Sequence, residues 1–390
     1  MPKLHTLVFI VSTLVLMGCQ TTPAVLVSTD RYLHDELFPN HTNTQIESEQ
    51  DVFAVSDEMK AFIESSIKKN VTYESQVKAL AHNIFEHSSL ALIYENEANT
   101  IASETFANKT ANCLSLTIMT YALADYAGYG AEFQQVDGPE LWVRREQTSL
   151  LNRHVNLKLF EKLRYSENIV YQFRSTVYEV DFNQELPSSY YPKKNITKNT
   201  VLAMFYNNKG VDALINNDFN QAYAYFKQAI ITDDQLLDAY TNLGLLYRRM
   251  GRLDWAEQNY LLALKISPDD GSALENLAVL YRRTEREHAA DKILRELEIK
   301  RKSNPFYHYH LGIEDLEKSQ LTQARKHFRN AIKLHRKNHE FYFAMARTLY
   351  LMGDKKTSQR YMKLAKKFSN SETERLKYQY KLDAYSSVQE

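Results

Sequence analysis

Hydrophobic residues change their spacing several times along the chain, and each change predicts a different element. The first apolar run, Leu4 to Leu16, follows Lys3 and holds His5, with Thr6, Ser12 and Thr13 as its other polar residues. It is too short to span a bilayer as an ordinary helix and ends in small residues, as a signal peptide over residues 1–18 would. From Asp51 the apolar residues fall three and four apart: Phe53, Met59, Phe62 and Ile63, then Val77, Leu80, Ala81, Ile84 and Phe85. Two amphipathic helices are predicted there. Cys113 to Ala127 is apolar at nearly every position, which predicts a helix buried all round and stopped by Gly128 and Gly130. Three strand-like runs follow, Ala131 to Val136, His154 to Phe160 and Val177 to Phe182. Helices, a central buried helix and then strands make an α+β unit, placed at residues 51–190. Residues 19–50 read as the mature N-terminus and a linker, with 20–29 a short tether, and Pro187 to Lys198 has linker composition.

From Ala203 the pattern recurs every 34 residues, with starts at 203, 237, 271, 305 and 339 and no insertion. The eighth position holds Gly210, Gly244, Ala278, Gly312 and Ala346, and the twentieth Ala222, Ala256, Ala290, Ala324 and Ser358. Large residues, Phe226, Tyr260, Leu294, Phe328 and Met362, stand at the twenty-fourth, and Ala229, Ala263, Leu297, Ala331 and Ala365 at the twenty-seventh. Small residues let paired helices approach and the large one fills the gap between them. This array resembles the tetratricopeptide repeat, in five copies over residues 203–372, with a polar capping helix at 373–390. The second copy, with Leu243-Gly244, Tyr247, Ala256, Tyr260, Ala263 and Pro268, matches closely, whereas the third and fifth depart from the pattern. The resemblance implies an all-α solenoid behind the α+β unit, a mainly helical chain, and a protein or peptide partner in the groove of the repeats.

Composition agrees with a folded, helix-rich protein: 44% hydrophobic, 25% charged, and 26 Tyr against 10 Gly and 8 Pro in 390 residues. The net charge of zero hides an asymmetry. Residues 203–390 carry 31 Lys/Arg against 24 Asp/Glu, leaving 17 against 24 for the front part. Such a division bears on partners and says nothing about fold.

The apolar leader ends Leu16-Met17-Gly18-Cys19, which resembles the lipobox of bacterial lipoproteins. That resemblance implies cleavage before Cys19, diacylation of its sulfur and acylation of the new amino group, with palmitate-like chains. Several chains, at about 0.8 kcal/mol per buried CH₂, would hold the protein on a membrane where one would not. Gln20 in place of an inner-membrane-retaining Asp favours the outer membrane, with the protein facing the periplasm. With Cys19 acylated, Cys113 has no intramolecular partner, and a lone thiol in an oxidising compartment is either buried and inert or kept for reactivity.

Cys113 stands at the predicted start of the buried helix, where unpaired backbone N–H groups and the positive dipole end suit a nucleophile and can donate to an oxyanion. The bland alternative is a small hydrophobe packed in a helix. A thiol nucleophile needs a base and the base an orienting acceptor, and strand-like runs supply His154 and Asp181. At Glu104-Thr105-Phe106, Asn112-Cys113-Leu114-Ser115, Asn152-Arg153-His154 and Val180-Asp181 the chain resembles the transglutaminase-like, papain-related fold, in the envelope subgroup that joins it to tetratricopeptide repeats. The resemblance implies Cys113 as nucleophile, His154 as base and Asp181 as orienter. Ala111 departs from the Gly that the family often has two residues before the cysteine. Two function classes follow: a thiol amidase, peptidase or acyl transferase acting on envelope peptides, or a non-catalytic scaffold or assembly lipoprotein.

Other constellations are weaker. Asn208, Asn242 and Asn276 share the sixth repeat position, where the resemblance implies amides facing a bound peptide. Val211 and Ser272 occupy positions of the carboxylate clamp found in some relatives, so that clamp is absent. His308 and His310, and His335 and His339, have no metal-binding spacing and read as surface or packing residues. Neither a metal nor a cofactor is expected, and no phosphate-binding glycine loop is present. Residues 320–368 hold 13 Lys/Arg against two Asp/Glu, a solvated face or a contact for acidic lipid headgroups or an acidic partner, nucleic acid being improbable in the envelope.

Overall fold

The computed structural model describes residues 29–66, 93–95, 97–136, 142–145, 148–151, 154–161, 178–180, 193–369 and 372–387. The leader, Cys19, the helix expected near Val77 to Phe85 and Asp181 lie outside the described residues. Among the described residues no helix is long and apolar enough to cross a membrane.

After three short turns of 3₁₀ helix come α1 (Glu49–Val52) and α2 (Asp57–Ser66). The single amphipathic helix expected from Asp51 is thus two. Ser48 opens α1 with a reciprocal capping box, its hydroxyl bound by the Asp51 N–H and its own N–H donating to the Asp51 carboxylate. Phe53 leaves the helix to pack edge-on against Tyr121. A two-residue parallel pair, β1 (Ile93–Tyr94) with β2 (Thr110–Ala111), brackets α3 (Ala102–Asn108), and α4 (Cys113–Tyr126) follows. Eleven of its fourteen residues are buried, as its unbroken apolar sequence requires. Gly128, at φ +81°, takes the left-handed position that ends it, its N–H donating to the Asp125 carbonyl.

The helix lies on an antiparallel sheet ordered β7-β6-β3-β8, from β3 (Tyr129–Val136), β6 (His154–Glu161), β7 (Tyr178–Val180) and β8 (Lys193–Ile196). A separate hairpin pairs β4 (Trp142–Arg145) with β5 (Thr148–Leu151). The expected strands are present, but the stretch that looked like a linker contains β8, an edge strand paired with β3 from Phe133↔Ile196 to Val136↔Lys193. Its sequence is polar because an edge strand is half solvated. One residue later Thr197 caps α5 (Lys198–Ile215), whose Val201 and Ala203 are fully buried. The first repeat therefore begins at 198 as the direct continuation of the sheet, and one apolar core runs without a break from Phe38 to Leu280.

Helix pairs then follow in the expected order: α5 with α6 (Phe219–Thr232), α7 (Leu237–Arg249) with α8 (Leu253–Ile266), and α9 (Gly271–Arg283) with α10 (Glu287–Ser303). Next come α11 (Pro305–Glu317) with α12 (Leu321–Leu334), and α13 (His339–Leu351) with α14 (Lys355–Phe368). The last helix, α15 (Glu372–Ser387), caps the stack, and its Tyr378 hydroxyl lies 2.7 Å from Nδ1 of the buried His339. A Cβ placed on Gly210, Gly244 or Gly312 would come 2.6, 2.7 or 2.6 Å from the ring of Phe226, Tyr260 or Phe328. The eighth and twenty-fourth positions thus meet inside the first, second and fourth pairs, and Ala346 and Met362 share one cluster in the fifth. In the third and fifth copies the sequence sets Leu294 or Met362 with an alanine, Ala278 or Ala346, in place of a ring with a glycine.

Residues 29–50, read above as linker, differ most from expectation: they pack across the first two repeats. Phe38, 1% exposed, stacks on Tyr223 with ring centres 4.1 Å apart, and His34 stacks on Trp255 at 3.7 Å. The Tyr247 hydroxyl donates to the Tyr32 carbonyl (3.0 Å) and the Tyr206 hydroxyl to that of Glu47 (2.7 Å). Lys227 holds both Asp35 carboxylate oxygens at 2.7 Å, and Lys209 pairs with Glu47 at 3.1 Å. Burial raises the Asp35 carboxyl, but Lys227 and Tyr223 outweigh it and hold it below its ordinary range. Burial, with the acidic groups around it, pushes the Tyr206 phenol up to about 12, so it stays a donor.

Two predictions test this packing. Gly244→Ala should destabilise the protein by about 1–3 kcal/mol in urea unfolding, through overpacking against Tyr260. In a Tyr260→Leu background the same change should be nearly neutral, and equal losses in both backgrounds would mean the two positions are uncoupled. The second concerns pH. Burial pushes His310 down to about 4 from the ordinary 6.5, and its Nε2 is buried without a hydrogen-bond partner. The unfolded chain therefore binds a proton between pH 6.5 and 4 that the folded chain refuses. Stability present in full above 6.5 falls through that window, by on the order of 3 kcal/mol from this residue. His310→Phe should flatten the fall measured by urea midpoints from pH 7 to pH 4.5; an unchanged slope would discard the assignment.

Candidate functional site

Cys113 is the first residue of α4, and the residues before it explain why the helix begins there. The Asn112 side-chain oxygen accepts the Ser115 N–H at 2.9 Å, an N-cap of the preferred chemistry. The other end of that amide donates to Asn99 Oδ1 at 2.5 Å, and the Asn99 amide donates to Asp212 Oδ2 at 2.5 Å. Ser115 completes the clamp: its hydroxyl donates to the Ala98 carbonyl (2.9 Å) and accepts from the Thr100 N–H (3.0 Å). A relay of polar side chains thus joins the first repeat, through Asp212 in α5, to the N-terminus of the Cys113 helix.

The Cys113 residue is 4% exposed and lies in the apolar core. One turn on, the Thr117 hydroxyl is 2.8 Å from the Cys113 carbonyl and 3.1 Å from that of Val155. The start of α4 and the start of β6 are therefore adjacent, and His154 is the first residue of β6, half-buried opposite Val136. Along β6, Val155, Leu157 and Leu159 join the core with the helix, while His154 and Asn156 alternate with them. The third predicted residue, Asp181, follows the end of β7 and is outside the described residues. In that part of the sheet the fully buried Asn156 donates to Glu179 Oε1 at 2.8 Å, and Lys193 ion-pairs with Glu179. Sequence reasoning singled out Cys113 and His154, named Ser115 only within the Asn112-Cys113-Leu114-Ser115 motif, and did not single out Asn99 or Asp212. The one available signal was Asn112, an N-cap residue type directly before an apolar run.

The groove asparagines are partly engaged within the protein. Asn242 donates to Asn207 of the preceding repeat at 2.8 Å, and Asn276 donates to the Ser272 carbonyl at 3.1 Å. Asn208 Oδ1 lies at the limit of a hydrogen bond, 3.5 Å from the Asn207 amide. Among the described residues no three His, Cys, Asp or Glu side chains cluster for a metal.

The relay makes a measurable claim. Asp212→Ala leaves the Asn99 amide without its acceptor, an expected loss of about 1–2 kcal/mol, and Asp212→Asn, which keeps an acceptor oxygen, should lose less. Hydrogen exchange at the Ser115 amide should rise in Asp212→Ala. Unchanged exchange there would show that the repeat does not steady the helix start.

The tetratricopeptide repeat family model matches residues 237–270, the second helix pair. Photosystem I assembly protein Ycf3 of Prochlorococcus marinus is 27% identical over 82 residues, 20% of this chain and 47% of that protein. Protein bimA of Emericella nidulans is 32% identical over 62 residues, 16% of this chain and 8% of its own length. The chain spans less than half the length of these curated relatives. Among solved structures, YrrB, described as a TPR protein with an unusual peptide-binding site, matches 46% of this chain and 92% of its own at 15% identity and a TM-score of 0.24. The chain carries tetratricopeptide repeats.

Proposed function

We propose that this chain is a cell-envelope scaffold lipoprotein, held at the outer membrane through Cys19, whose repeats bind a protein or peptide partner. The observation that carries the reading is the segment at residues 29–50. The first two repeats grip it as they would a ligand, through aromatic stacking at Phe38 and His34, tyrosine donors to main-chain carbonyls, and lysines on Asp35 and Glu47. Both ring stacks and the Lys227 contact with Asp35 are made by the second helix of a pair, whereas Asn208, Asn242 and Asn276 stand on the first helices, and it is the first-helix side carrying them that is left to the partner. The Ycf3 relatives bear the name of an assembly protein, which agrees with this class of role.

A second reading has one placement behind it: Cys113 at the capped N-terminus of a buried helix, next to the strand that opens with His154, a residue that alternates with those facing that helix. It takes the N-terminal unit as transglutaminase-like. His154 would take the Cys113 proton, with Asp181 orienting it, and the sulfur would attack an amide carbonyl while the helix-start N–H groups stabilise the oxyanion. Return of the proton to the leaving amine gives a thioester, which water or a second amine resolves. Burial of Cys113 to 4% exposure speaks for the scaffold.

Alkylation separates the two readings. At neutral pH the scaffold predicts that iodoacetamide modifies Cys113 at least about tenfold more slowly than free cysteine, as burial demands. A photocrosslinking residue at position 276 should then trap the same protein in wild type and in Cys113→Ala. Alkylation faster than free cysteine that His154→Ala slows would replace the scaffold by the thiol enzyme.

A further inference from the structure

The far end of the solenoid carries a second feature, independent of Cys113 and of the repeats' groove. Between α14 and α15 lies a cleft of about 570 Å³ whose walls include Lys363, Lys366, Lys367 and Arg375 against a single carboxylate, Asp383. Helical spacing brings them there: Lys363 and Lys367 are one turn apart on α14, and Arg375, Gln379 and Asp383 successive turns on α15. Asp383 offsets one of the four positive charges; it accepts the Gln379 amide at 2.5 Å, and the Gln379 oxygen accepts from Lys366 at 2.5 Å. Both exposed lysines, Lys363 and Lys367, sit at the mouth. Low-dielectric walls lined by one sign of charge concentrate counter-ions of the other sign.

What flanks the cleft distinguishes the kind of anion. The outer face of a solenoid cap is expected to be polar, since it has no further repeat to cover it. On α15, however, Leu376 and Tyr380, one turn apart and each beside a cleft residue in sequence, are 48% and 71% exposed. Arg375, Lys377 and Lys381 flank this aliphatic and phenol on a helix that also carries Glu372, Glu374 and Asp383; exposed apolar groups beside cations suit a membrane surface, apolar groups among the headgroups and cations on the phosphates. An acidic peptide would use the cations and leave this pair without a role.

We propose that the cleft between α14 and α15 binds the phosphate headgroup of an anionic phospholipid, with Leu376 and Tyr380 entering the membrane interface beside it. The site gives the solenoid a contact with a lipid surface at its C-terminal end, and it does not rest on the scaffold or the thiol reading.

The test measures binding of the purified full chain to phosphatidylcholine vesicles with and without phosphatidylglycerol. The apolar leader contributes alike in every arm, so the comparison isolates the charge. Wild type should bind the phosphatidylglycerol vesicles at least about tenfold more tightly, with the preference shrinking as salt is raised. Lys363→Gln with Lys367→Gln, both exposed and so tolerated by the fold, should abolish a tenfold preference, since two such lysines together account for roughly 30-fold. Leu376→Ser with Tyr380→Ser should weaken binding while keeping the lipid preference. Equal binding to both vesicle types, or a preference that survives the double lysine change, overturns the proposal. So does release by inorganic phosphate or by a polyglutamate peptide at concentrations too low to screen charge, which would make the ligand a free anion or an acidic protein.

Discussion

The contact between the eighth and twenty-fourth positions of a repeat governs the rest of the molecule. A ring resting on a bare glycine Cα lets the two helices of a pair close until there is no room for a methyl group, as at Gly244 under Tyr260. Interiors packed at crystal-like density transmit such a requirement, so a change on one side must be answered on the other. The fifth pair shows such an answer, with Met362 and Ala346 in one cluster where other pairs have a ring and a glycine. Once each pair has this thickness, the stack has a regular pitch, and on its first two pairs the Tyr206, Tyr225 and Tyr247 hydroxyls, from three different repeat positions, meet the segment at residues 29–50.

Much of this was legible in the linear chain. A 34-residue period with no insertion leaves only one register, and the unbroken apolar run from Cys113 admits only a buried helix. The parts that were missed share a cause. Residues 29–50 and β8 are short and polar, and each is held by contacts with residues far away in sequence: Phe38 by Tyr223, and Lys193 to Ile196 by β3. Local periodicity carries no trace of such partners. Of the candidate site, Cys113 at a helix start and His154 at a strand start could be placed from the sequence, whereas the relay from Asp212 to Asn112 spans a hundred positions and is visible only in three dimensions.

That relay, together with the shared core, changes what the two halves mean to each other. The expected picture was a separable α+β unit and a solenoid joined by a linker. In the protein the last strand enters the first repeat after one residue, and Lys198 at that junction pairs with Glu49 at 2.8 Å and lies over the Phe53 ring at 4.3 Å. Nearest-neighbour energetics, which isolate one repeat from the next in a free-standing solenoid, cannot apply at this end. The first repeat has two neighbours of different kinds, and whatever strains it reaches the start of the Cys113 helix by way of Asn99.

The two ends of the solenoid are therefore unlike. At the front, the repeats carry the chain's own segment and are welded to the sheet. At the rear, α13 and α15 are tied by His339 and Tyr378, and the surface is rich in lysine and arginine. Between them, Arg286 of the third pair holds Glu257 of the second with two bonds of 2.8 Å, and both groups shift toward their charged forms because of it. Such a bidentate pair fixes the angle between neighbouring repeats more than it adds stability, since Arg286 is partly solvated and screened. The angle between the second and third pairs is thus fixed by a charged pair, the first two pairs are crossed by the segment at residues 29–50, and the later pairs are set by contacts with their immediate neighbours.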